Sequence, residues 1–500
     1  MGFPLTSLLS RLSSRDATVL MSALVATVAS MLVGASVSSP DLVRVAVAVP
    51  VACALVGVAT SSPRLALYGL MVWLAALGLV RRLLTTYGQS GPIGDPVLIV
   101  GPVLLLVLFL IAVERGALRE HTRLSRVVLG LTVVLGLSAV NPLQGGLSVG
   151  LGGVLLVVVP MLAFWIGRSL LDEQAVGVLV CLLGVLALLA AIYGLAQTFY
   201  GLPSWDQRWV TQSGYTALDV GKAIRAFGTS ASAAEYATLL AVGILSWRAI
   251  AKRTSLLPVA VVALAVLAYA LWLESSRGII VLALAALWLT FAAARRMPIG
   301  AALLVGAALL ALLPSAVGYL SSSPTGRTET SALVKHQVEG LSEPFGKNST
   351  LSGHWEEVIE GVAQGFTSPV GRGVGAITIA ASKFEGTSAG TEADPGNAPV
   401  AAGVIGLILY LLIVVYGIGA SYRLAQARRT VPALAALGIV LVTFLQWLNG
   451  SLYVIAPLAW LFLGWVDAES SATRASPPSA PPASSGRAGS PTVSATHRIG

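Results

Sequence analysis

Almost the whole chain is a succession of apolar runs, most of them close to the length that spans a lipid bilayer and most followed by a short polar turn, and no other feature limits the fold as strongly; the fifth and the last run are short. A hydrocarbon core ~30 Å thick is crossed by ~20 residues rising 1.5 Å each. In lipid, every backbone N–H and C=O must be satisfied within the protein. The runs are too long and too uniformly apolar to be barrel strands, so they are predicted to be helices. Charged residues make up 11% of the chain, against ~25% in soluble domains. The expected class is an all-α polytopic membrane protein. The 52 glycines fit it, because glycine is tolerated in membrane spans and lets helices pack closely.

About fourteen spans are predicted, at residues 18–37, 42–60, 65–80, 96–113, 127–140, 147–167, 175–198, 233–250, 256–273, 278–294, 299–320, 398–420, 432–448 and 452–466. No small-residue cleavage site follows the first run, which is therefore read as a retained span. The chain divides into an N-terminal segment (1–17), eleven spans within 18–320, a polar segment (321–397), three spans within 398–466 and a tail (467–500). The Ser/Pro/Ala composition of that tail cannot bury a core, so disorder is expected. Cys53 and Cys181 both lie in apolar runs and read as small buried hydrophobes rather than a disulfide or metal pair.

Basic residues orient the chain. With the N-terminus inside, inner loops collect 16 Lys and Arg, while the short outer loops hold seven: Arg44, Arg81, Arg82, Arg208, Lys222, Arg225 and Arg277. The positive-inside rule then puts both termini in the cytoplasm and 321–397 outside. The +9 net charge is scattered over short loops and does not indicate nucleic acid.

The 77 residues of 321–397 hold nine of the 22 acidic residues, five of the 31 basic ones and two of the four histidines. Loops longer than ~15 residues are uncommon unless they function. Within it Trp355, Val358, Ile359, Val362 and Phe366 recur at helical spacing, with Glu356, Glu357, Glu360 and Gln364 on the other side. This predicts an amphipathic helix lying on the bundle and capping a cavity, with Ser352 as its N-cap and His354 at its start. A histidine there can serve as general base toward a sugar hydroxyl; the alternative is a capping or solvated side chain.

The outer arginines form the second candidate set. Guanidinium forks grip phosphate bidentately and never deprotonate. Arg225 ends a polar loop, Arg277 sits in the tight Glu274–Gly278 turn, Arg372 lies among the glycines after Pro369, and Arg81 and Arg82 end the third run. For any one of them the alternative is snorkelling to headgroups. Phosphate-cradling glycine loops, His-x-x-x-His pairs and carboxylate cages are absent from the sequence, so no cofactor or metal is expected and the driving force must arrive with the substrate. Charges inside the runs are few, Glu235 being the main one, which counts against an ion-coupled transporter.

Several segments resemble the bacterial O-antigen ligase and polymerase family of membrane glycosyltransferases. They are Tyr193-Gly194-Leu195-Ala196-Gln197-Thr198-Phe199 with Gly201, Arg225-Ala226-Phe227-Gly228-Thr229 with Tyr236, Glu274-Ser275-Ser276-Arg277-Gly278, Trp355 through Pro369-Val370-Gly371-Arg372-Gly373-Val374-Gly375, and Gly403-Val404-Ile405-Gly406-Leu407. The likeness covers roughly residues 190–410 and rests on their order and spacing.

The resemblance implies a bacterial plasma-membrane enzyme that binds undecaprenyl-diphosphate-linked glycan donor and acceptor and transfers glycan without a metal. Arg225, Arg277 and Arg372 would hold the diphosphate, with Arg81, Arg82, Lys222 and Trp355 as accessory residues. Two departures favour a polymerase of O-antigen or exopolysaccharide repeat units over a ligase. Ligases carry a histidine beside an asparagine where this chain has Glu392-Ala393-Asp394-Pro395-Gly396-Asn397, and His354 stands where many members have an arginine. Asp394 would then supply the base, with His354 as the other candidate, or none is needed if departure of the diphosphate dominates. Arg81-Arg82-Leu83 and the 141–146 segment look like the polymerase branch, for which a chain-length regulator and a flippase are the expected partners. The alternatives are a ligase acting on lipid A–core or protein and, in another class, a lipid-linked oligosaccharide flippase.

Overall fold

The computed structural model describes residues 40–87, 95–213, 218–220, 223–251, 254–320, 329–344, 351–391 and 393–475. The described chain is almost entirely helical, and nine helices within it are long and apolar enough to cross a membrane. The first predicted run, 18–37, lies outside the described residues.

Helices α1 (Pro40–Ser61), α2 (Pro63–Leu84) and α3 (Val100–Glu114) are followed by α4 (Arg123–Ser138), which starts at a capping box between Thr122 and Ser125. Helix α5 (Leu147–Leu170) carries a π turn over Val154–Val158 just ahead of Pro160, whose missing N–H breaks the ladder. Asp172 caps the long α6 (Glu173–Tyr200). A short α7 (Ser204–Ser213) and a two-stranded antiparallel hairpin, β1 (Asp219–Val220) and β2 (Ala223–Ile224), lead to α8 (Ala233–Ile250). Ser232 caps α8. This helix is buried nearly all round, as a centrally placed apolar helix should be.

Next come α9 (Leu257–Glu274), α10 (Arg277–Ala294) and α11 (Ile299–Leu320). Helix α11 buries least of all, packing on α10 and on the helix that follows it. The polar segment contains α12 (Glu329–Ser342), α13 (Leu351–Thr367) and a short α14 (Ile379–Lys383). Helix α15 (Asp394–Arg428) takes in the last residues of the expected loop as its first turn. Helices α16 (Val431–Val442) and α17 (Ile455–Ala475) complete the bundle, α17 packing along α5.

Two boundaries differ from the sequence reading. The run 432–448 is helical only to Val442, and an irregular stretch then places Trp447 in the core. Asp394 caps that stretch, its carboxylate accepting the N–H groups of Trp447 (2.5 Å) and Leu448 (3.1 Å). Non-helical backbone at membrane depth is tolerated where protein buries it in this way. Residues 467–475, assigned to the tail by the sequence reading, continue α17 instead, and the rest of that segment lies outside the described residues. Asp467 pairs with Arg168 and accepts the Thr122 hydroxyl, and Glu469 pairs with Arg428, which fixes those turns.

Candidate functional site

The motif-bearing residues gather at the end of the bundle where α2, α6, α9 and α10 meet the polar connections. Arg82, in the last turn of α2, is fully buried. It donates through Nε to Asp206 of α7 (2.6 Å) and through its Nη atoms to the carbonyls of Ser230 and Gly228, and it lies over the Phe227 ring. Asp206 also accepts the Tyr193 hydroxyl and the Gln197 amide, each at 2.7 Å. Gln197 Oε1 in turn accepts the N–H groups of Phe227 and Gly228. Two segments that sequence reading could only list separately, 193–199 and 225–229, are therefore one hydrogen-bonded unit.

Arg81 is similarly engaged. It pairs with Asp95 (2.9 Å), donates to the Tyr453 hydroxyl (3.1 Å) and stacks over Trp209, while Arg44 shares the same Asp95 carboxylate. The expected accessory role of Arg81 and Arg82 thus meets two guanidinium groups already ion-paired, Arg82 to Asp206 and Arg81 to an Asp95 that it shares with Arg44. Lys222 lies outside the described residues.

Arg225 and Arg277 converge on one turn. Arg225 leaves the hairpin with its N–H donated to Leu218 O. Its guanidinium donates to Glu274 O (2.9 Å), Glu274 Oε1 (2.8 Å) and Ser276 Oγ (2.6 Å). Glu274 is buried, and its other oxygen accepts the Ser276 N–H (3.0 Å). Ser275 takes the left-handed conformation (φ 66°) that reverses the chain between α9 and α10. Arg277 is then the first residue of α10, beside Arg225. It forms no ion pair among the described residues and instead meets His336 of α12, Nη2 to Nε2 at 2.6 Å. It lies across Gly340, one helical turn further along α12, where any side chain would collide with the guanidinium.

A neutral imidazole accepts at one nitrogen, so Nε2 carries the lone pair facing Arg277. Partial burial, then the charges of Arg277 and Arg225, push the His336 pKa below its ordinary value, with Glu339 pulling the other way. The long polar segment therefore reaches the arginines through α12 and His336, which the sequence reading did not single out. The available signal was the Leu333, Gln337, Leu341 spacing, whose face is buried and sets His336 at its edge.

The remaining candidates lie elsewhere. His354 and Trp355 are exposed in the first turn of α13, which packs on α15. Asp394 is fully buried, and besides the two N–H groups it faces the Tyr410 hydroxyl (3.4 Å), so its contacts are those of an internal cap. Arg372 is held at α15 through its backbone, its N–H donating to Val400 O (2.7 Å). Its half-buried guanidinium makes no hydrogen bond or ion pair among the described residues. No group of His, Cys, Asp or Glu among those residues is arranged to hold a metal ion. The chain matches no family model, no curated protein and no solved structure.

Proposed function

We propose that the chain is a glycan polymerase acting on the outer face of the bacterial plasma membrane, joining undecaprenyl-diphosphate-linked repeat units by metal-independent transfer. The observation that carries this is Arg277. It stands beside Arg225 with an imidazole, not a carboxylate, as its partner, leaving an excess positive charge at a junction of two polar loops. Paired guanidinium groups suit a diphosphate, the resemblance assigns these same arginines to it, and electrostatic stabilisation of a departing oxyanion is commonly the largest catalytic contribution.

In the proposed step the donor diphosphate takes the Arg277 guanidinium, releasing His336 Nε2. Burial sets the larger part of the His336 depression, and the added negative charge offsets the part due to Arg277 and Arg225, so the imidazole becomes a stronger base as the donor binds. It accepts the proton of the acceptor hydroxyl while that oxygen bonds to the anomeric carbon. The bond from that carbon to the diphosphate breaks, and the diphosphate leaves with the electron pair. His336 takes the place that His354 and Asp394 hold in the sequence reading.

The test is complementation of a deletion strain. Arg277→Ala and His336→Ala should insert normally yet abolish long polysaccharide and accumulate single lipid-linked repeat units. Full-length polymer from Arg277→Ala would refute the assignment. A ligase would instead lose only surface attachment, and a flippase would leave its unpolymerised intermediates on the cytoplasmic side.

A further inference from the structure

Helix α13 shows three faces. A Cβ on Gly361 would lie 2.9 Å from Gly396 Cα, and one on Gly365 would run into Pro399. The Pro369 carbonyl rests against Gly403. The pairings 361/396, 365/399 and 369/403 advance together, so α13 runs parallel to the first turns of α15 at the short separation a small-xxx-small edge permits. At 3.6 residues per turn, Trp355, Ile359 and Phe366 fall on the arc beside that edge, and Glu356, Glu357 and Glu360 fall on the arc beyond it. No described residue covers the apolar arc. Trp355 is 63% exposed, Ile359 51%, Phe366 63% and the following Val370 72%. Of the face expected to lie on the bundle, Val358 and Val362 are half-buried while Trp355, Ile359 and Phe366 point away from it, because the glycines took the packing position.

The depth of this helix follows from α15. Its backbone departs from helical geometry at Ala402 and Gly403. About 20 residues below that kink, a ~30 Å rise, come Arg423 and then Arg428 and Arg429. The hydrocarbon-spanning part is thus 404–423, and the 394–402 turns with α13 on them sit at headgroup level. The exposed arc is also continuous with lipid-facing surface. Below the kink Ile405, Ile408, Leu411 and Val415 are exposed on α15. Beside Val370 lies the end of α4, where Leu137 and Val140 are exposed and Asn141 donates to Gly371 O (2.9 Å). An apolar patch of this extent marks an interaction surface, and its continuity with that belt identifies lipid as the occupant.

We infer that α13 is a membrane-interface helix, its Trp355, Ile359 and Phe366 face and Val370 immersed in the leaflet on the loop side and its three glutamates in water. Interfacial helices bury such a face ~5–10 Å into the headgroup and acyl boundary, and tryptophan favours that depth. Their polar faces are usually basic, whereas this one is acidic. Apolar burial and the glycine seat on α15 hold it, not attraction to anionic lipid. The inference is independent of the proposed chemistry.

The test uses the full chain with Cys53→Ala and Cys181→Ala and single cysteines at Ile359, Phe366, Glu356 or Glu360. These four positions are exposed, so labelling removes no core contact. Each is labelled with an environment-sensitive fluorophore and reconstituted in phosphatidylcholine vesicles. Labels at 359 and 366 should lose fluorescence to nitroxide-bearing lipids and resist aqueous iodide, and labels at 356 and 360 should do the reverse. Iodide quenching at 359 and 366 equal to that at 356 and 360 would overturn the inference. So would protection from both quenchers, which would mean that protein covers the face. Adding phosphatidylglycerol should leave the pattern unchanged, and a pattern that appears only with it would overturn the account of what holds the helix.

Discussion

Replacing Arg82 separates a structural arginine from a substrate-binding one. In Arg82→Ala the Asp206 carboxylate, fully buried, loses its only ion-pair partner among the described residues, and the Ser230 and Gly228 carbonyls lose a charged donor. Removing one member of a buried pair costs about 3–5 kcal/mol, and each stranded acceptor adds about 1–3 kcal/mol. The pair alone amounts to about two to four decades in the open population of the 204–230 segment, at 1.4 kcal/mol per decade. Because that segment carries Arg225, activity should fall with it. The assay is trypsin cleavage at exposed Arg208 on α7, together with the inactivation half-life of the detergent-solubilised protein. Cleavage should accelerate and the half-life shorten. Adding Asp206→Asn should recover much of both, since an amide leaves no buried charge and still accepts from Tyr193. If Arg82→Ala resists trypsin and heat like the parent while losing polymer, Arg82 contacts substrate and the structural assignment fails.

Four further outcomes follow from the same contacts. Asp394→Leu should release the 445–448 turn and destabilise the protein by about 1–3 kcal/mol or more, through two stranded buried N–H groups, whereas Asp394→Asn, which keeps one acceptor, should retain most activity if no base is lost; equal inactivity of the two at equal stability would restore a catalytic Asp394. Gly361→Leu should push α13 off α15 at an overpacking cost of about 1–3 kcal/mol, read as new protease sensitivity within 351–391. Gly403→Ala places a side chain at φ +64°, ψ −159° against the Pro369 carbonyl and should likewise free that segment, at about 1–3 kcal/mol of backbone strain plus the collision. For pH, His336 is lowered in the folded state, so its arrangement is fully present above the ordinary pKa of about 6.5 and is lost as pH falls through the depressed value; the inactivation half-life should shorten on acidification within that window, and His336→Gln should flatten this part of the profile.

The helices could be read from sequence because lipid makes backbone satisfaction a local demand, and a local demand leaves a local pattern. Tertiary charge balance leaves none. Arg81 and Arg82 look alike as cations ending a span, yet Asp95 and Asp206, which neutralise them, lie 14 and 124 positions away from their respective partners. The apolar face of α13 was visible, but what lay against the helix was decided by Gly361 and Gly365, whose signal is the lack of a side chain. His336 was hidden for the opposite reason, since one imidazole on a modest helix carries no pattern until Arg277 is brought across Gly340 to meet it. A ranking of the arginines therefore has to follow counter-charge rather than position. Arg81, Arg82 and Arg225 each have a carboxylate, and Arg225 shares its own with the turn that presents Arg277. Arg277 forms no ion pair among the described residues and meets a neutral imidazole whose pKa is depressed by burial and then by the Arg277 charge, with Glu339 acting the other way on both. An anion arriving there relieves the excess charge and the part of the histidine's depression that the arginines cause, and of Arg277 and Arg372, the two candidate arginines without a carboxylate partner among the described residues, Arg277 is the one that stands beside Arg225.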